Sequence, residues 1–118
     1  MRLSLFDSFA DMIEVIPARA VIRTLERESK MLQEDLALQR PVPPGQAASI
    51  IGFCRFAEAV SRGLRVPAPT AAIPAAHVEF YRQTVTRLIA AGELPLHATA
   101  EFDESFAGDH LHAAHYAM

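Results

Sequence analysis

Four residues near the C-terminus carry the clearest metal-ligand chemistry in the chain: Asp109, His110, His112 and His115. Neutral imidazole and carboxylate oxygen are good ligands for zinc, nickel or copper, so a divalent metal ion is the cofactor this set would take. His112 and His115 stand three apart, and one helical turn presents both to one ion. His110 and His112 face different ways on a helix and converge only in a loop. The spacing departs from known zinc patterns, since there is no H-E-x-x-H and no cysteine pair. A polar tail with histidines scattered by chance, or an ordered tail with Leu111 and Tyr116 packed on the bundle, accounts for the same residues without a metal.

A second group is cationic. Arg19, Arg23 and Arg27 recur in steps of four, with Lys30 close by. On a helix they form a row, and like charges one turn apart repel mildly unless something answers them. Such a row suits an anion or nucleic-acid surface. The plainer reading is a solvated face answered by Glu26, Glu28, Glu34 and Asp35, with Glu26–Lys30 and Lys30–Glu34 at i,i+4 spacing. The two groups have opposite charge, so docking of the acidic tail on the arginine row would join them. Protonation of the histidines near pH 6 would then loosen that contact.

Nucleophilic chemistry has less support. Cys54 lies in the most apolar stretch, where a thiol is buried and inert. Ser49 and Ser61 have no histidine nearby in sequence. His77 falls near the positive end of a helix, which favours a neutral ring, and no partner stands at a readable spacing. There is no G-x-G-x-x-G and no phosphate loop. The free N–H groups after Gly45-Gln46 could meet an anion, as at any helix start. A helix-turn-helix fits only at the corner before the arginine row, because the later helices are joined by about nine Pro-rich residues and not by a short turn.

The elements that position these residues are helical. From Pro17 to Gln39, Ala18, Ile22, Leu25, Ser29, Leu32 and Leu36 recur at alternating steps of four and three, one face of a long helix. Met31 and Leu38 add a second apolar strip, so the C-terminal half asks for cover on two sides. Before it, Ser4 followed three residues later by Asp7 starts a helix over about Leu5–Val15. Pro43-Pro44 marks a break. Gln46–Arg62 is then apolar on most sides, the mark of a central helix. Ala48 and Gly52, like Ala59 and Gly63, are small residues four apart that would admit another backbone closely. Gly63 suits a left-handed helix end. A Pro/Ala-rich connector leads to a helix from about Ala75 to Gly92 with Val78, Tyr81, Val85, Leu88 and Ile89 on one face. Thr99 suits the cap of a short helix bearing Phe102 and Phe106.

The 118 residues make one domain's worth of chain. Hydrophobic residues at 51% against 21% charged supply a core and argue against overall disorder. The net charge of −3 provides no general pull towards nucleic acid. Residues 1–65 hold nine basic and eight acidic side chains, and residues 66–118 two and six. One cysteine excludes an intramolecular disulfide. The first residues lack a signal-peptide core, and no stretch of about 18 uncharged apolar residues exists to span a membrane. A cytoplasmic location is expected. Lys30 as the sole lysine, with abundant Ala, Arg and Pro, reads as coding bias of a GC-rich, bacterial genome.

These observations predict an all-α fold: a single domain over residues 1–118, a compact antiparallel bundle of about four helices with a core over 4–92. An acidic, His-rich segment, short and helical or irregular, follows over 93–118. The functional expectation is a non-enzymatic interaction or accessory protein, self-associating as a homodimer through helix faces and open to a protein partner. The alternatives are a metal- or small-ligand-binding protein using the C-terminal histidines, and a nucleic-acid-binding regulator using the arginine row.

Overall fold

The computed structural model describes residues 16–69 and 73–106. The expected helix over Leu5–Val15 lies outside them. Helix α1 runs Ala18–Ala37. Pro17 stands just before it, extended at φ −55° and ψ 139°. Its carbonyl accepts the N–H groups of Ala20 and Val21 at 2.9 and 3.2 Å. The buried face is Ala18, Val21, Leu25, Ser29 and Leu32. The expected seam is therefore shifted at one point: Val21 is fully buried and Ile22 only partly so. Leu36, Met31 and Leu38 remain 48%, 41% and 61% exposed, because α1 outruns the described elements that cover it.

Helix α2 spans Pro44–Ser61, with proline at its first position, two residues earlier than the sequence suggests. Helix α3 spans Ala75–Ala90 and the short α4 spans Ala98–Ser105. Helix α4 begins before Thr99, after His97, and no side chain caps it. The described residues thus form an all-α bundle of four helices. None of these helices is long and apolar enough to cross a membrane.

The helix ends share one device. After α2, Gly63 adopts φ 68°, and Leu64 N–H reaches back to the Ala59 carbonyl at 2.8 Å. After α3, Gly92 adopts φ 76°, and Glu93 bonds the Leu88 carbonyl at 2.8 Å. After α1 the same left-handed position is held by Gln39, at φ 59°, and Arg40 N–H bonds the Asp35 carbonyl at 2.8 Å. Each is a Schellman closure that satisfies the last carbonyls of its helix.

Helix α2 is the centre, as its composition predicts. Phe53 and Phe56 are fully buried. Phe53 stacks on Tyr81 of α3 with centroids 4.2 Å apart and planes 3° from parallel. Phe102 and Phe106 meet Phe56 at 5.7 and 5.4 Å. The core therefore continues past residue 92: Leu94, Ala98, Phe102 and Phe106 all belong to it. Arg87 ties the end of α3 to the approach to α1, its Nη2 donating to the Ile16 carbonyl.

Candidate functional site

The candidate metal ligands Asp109, His110, His112 and His115 lie outside the described residues. Within those residues no three His, Cys, Asp or Glu side chains cluster to hold an ion.

The arginine row lies along α1 and is divided. Arg19 is paired with Glu93, its Nε donating to Oε1 at 2.9 Å, which links the first turn of α1 to the end of α3. Arg23 and Arg27 are exposed, and among the described residues no carboxylate lies within 4.0 Å of either. The answering charge is thus Glu93, far along the chain, and not the local acids on α1. Lys30 likewise forms no ion pair with Glu26 or Glu34. A partly exposed surface pair of the Arg19–Glu93 kind contributes at most about 1 kcal/mol.

The structure joins two residues that the sequence leaves apart. His77 Nδ1 lies 3.0 Å from Ser49 Oγ. Ser49 Oγ lies 2.6 Å from the Tyr81 hydroxyl. An imidazole beside a serine hydroxyl is the pairing of a base and a nucleophile. Here, however, Ser49 and Tyr81 are both fully buried, so the hydroxyl meets no substrate in this arrangement. Burial also drives the Tyr81 phenol well above its usual range, while the bond to Ser49 pulls the other way, and the ring stays protonated. The trio is a polar latch between α2 and α3. Its members are 28 and 32 residues apart, so no local spacing betrays it. Cys54, expected to be buried, is half-buried; burial pushes its thiol up to about 12, with Glu26 adding to the shift and Ser29 opposing it. Ser29, the polar residue of the α1 seam, accepts from Gln33 Nε2 at 3.0 Å.

A groove of about 760 Å³ lies between α1, α2 and the Pro-rich connector. The C-terminal end of α1 contributes Gln33 and Leu36, and Arg40 follows just beyond it. Helix α2 contributes Ala47, Ala48, Ile51, Gly52 and Arg55. Val42 and residues 67–69 close the remaining side. The groove forms where Leu36 continues the apolar seam of α1 beyond its cover and α2 places the small residues Ala47, Ala48 and Gly52 in the lining. Only the tip of Phe106, at 3.9 Å, comes near the place of a Gly52 Cβ. Among the described residues, no other backbone comes within 4 Å of that place, so the small pair Ala48 and Gly52 lines the groove and admits no second helix. Compared with known proteins, the chain matches no family model, no curated protein and no solved structure.

Two concave features differ in charge. The groove lining holds two guanidiniums and no carboxylate. A smaller cleft of about 250 Å³ lies towards the other end, where Ile22, Ala57, Leu88 and Leu94 are joined by Glu26, Glu58 and Glu93. Two of those acids are answered, Glu93 by Arg19 and Glu58 by Arg62 at 3.0 Å. In the groove, Arg40 Nη1 meets Asp35 at 3.2 Å. Arg55 is exposed and has no carboxylate within 4.0 Å among the described residues.

Proposed function

We propose that this chain is a non-enzymatic interaction protein, and that the groove between α1, α2 and the connector is where it binds. The observation that carries the reading is the groove itself: about 760 Å³ with an apolar floor and two arginines. Ligand pockets generally fall in the range of roughly 300–1,000 Å³ and combine mostly apolar walls with a few polar groups. Among the described residues, the pairing of His77 with Ser49 supports binding over catalysis, since its serine is sealed in the core. A fragment library screened by amide shift changes tests the reading. Hits should cluster on residues 47–55 and 67–69. Hits scattered over the surface, or none, would remove it.

Self-association through helix faces is a second reading with its own support. Leu38, at 61% exposed, stands two residues beyond Leu36 and so about 200° around the helix from it. Two copies would bury this end of α1. Light scattering across a concentration series should show a dimer that Leu38→Glu weakens. A monomer at every concentration would end this reading and leave the groove reading intact.

A further inference from the structure

We infer that the groove takes a small amphipathic monocarboxylate, with its apolar body on the Ala48–Gly52 floor and its head group on Arg55. This inference rests on the binding reading above and names its ligand class.

Charge decides the head group. Arg40 is answered by Asp35, and Arg55 has no carboxylate within 4.0 Å among the described residues, so the lining carries one unanswered positive charge. A guanidinium presents its N–H donors as a planar fork that fits a carboxylate with two parallel bonds. A phosphate monoester brings roughly −1.5 to −2 charges at neutral pH, too many for one free guanidinium. A cation meets repulsion, and a neutral amphiphile leaves Arg55 unused.

Shape decides the body. The α2 residues that line the floor, from Ala47 to Arg55, cover roughly 12 Å at about 1.5 Å per residue. Ala47, Ala48, Ile51 and Gly52 place no hydroxyl or amide side chain there. Most backbone N–H and C=O groups in the walls are already used within α1 and α2, which leaves no edge for an extended peptide to pair with. A helical peptide is about 10–12 Å across and would rest on the mouth without filling the floor. A second copy seated groove to groove would bring Arg40 and Arg55 against the same residues of its partner.

The test compares decanoate, decanol, decyltrimethylammonium and a synthetic acidic amphipathic helical peptide, each titrated into the full chain and followed by amide shifts. Decanoate should shift residues 47–55 and bind about fivefold tighter than decanol, the worth of one partly exposed ion pair. Arg55→Gln should abolish that preference, and Arg55→Lys should restore part of it. Arg55 is exposed, so neither variant threatens the fold. Equal binding of decanol and decanoate in the groove would overturn the monocarboxylate and leave the binding groove standing. Binding of the peptide there without either amphiphile would do the same. If none of the four shifts residues 47–55, the inference and the reading beneath it both fall.

Discussion

Gln39 holds α1's closing turn at φ 59°, a conformation that costs a side-chain-bearing residue roughly 1–2 kcal/mol. Gly63 and Gly92 occupy the equivalent turns without that cost. Gln39→Gly should therefore raise stability by about 0.5–1 kcal/mol, after glycine's greater unfolded-state freedom is subtracted, as read from a denaturant midpoint. The latch gives a second residue-scale test. Ser49→Ala takes from the buried Tyr81 hydroxyl its 2.6 Å partner and should cost about 1–3 kcal/mol. A loss below a few tenths would mean that the hydroxyl re-pairs without strain. Cys54 predicts a dependence on pH. The folded chain keeps the thiol proton to about 12, whereas the unfolded chain releases it near the ordinary value of 9.0. Between those values the folded state binds more protons, so stability falls as pH rises through that window. Tyr81, also shifted upward by burial, acts in the same direction. Denaturant midpoints measured from pH 8 to 11 should fall, and Cys54→Ala should flatten part of the slope.

At the scale of elements, α4 is the clearest test of where the core ends. Phe102 is 1% exposed and Phe106 fully buried, both against Phe53 and Phe56. Phe102→Ala should cost about 3–5 kcal/mol, the range for emptying a packed aromatic site. A loss under 1 kcal/mol would mean that α4 only leans on the body. The i,i+4 spacing of these two phenylalanines was legible, and it placed them on one face. Their depth was not, because their partners on α2 are distant in sequence and a short acidic segment looks solvated. The same limit applies elsewhere. Apolar periodicity located α1, α2 and α3, and Gly63 marked its own turn. Whether Val21 or Ile22 turned inward depended on where the other helices pack against α1, which no local spacing encodes. His77 and Ser49 meet only through the packing of α3 on α2. The groove was least legible of all, since it arises from a mismatch in reach between α1 and its cover, and no single residue encodes that.

Across the whole molecule, the groove is lined by arginines and the other cleft by glutamates. Gly52 lines the groove from inside α2, where glycine costs about 1 kcal/mol relative to alanine. Packing does not require it. A Cβ at Gly52 would meet only the Phe106 ring tip, at an ordinary 3.9 Å. If the fold alone governed this position, alanine would serve better. What alanine would take away is floor space in the groove. Gly52→Ala should therefore raise stability by about 0.5–1 kcal/mol while weakening decanoate binding. Thermal denaturation and shift titration on the same sample measure both effects. A variant that is more stable and binds as well as the parent would separate Gly52 from the groove. A less stable variant would show that the Phe106 contact, and not the groove, sets the size of this residue.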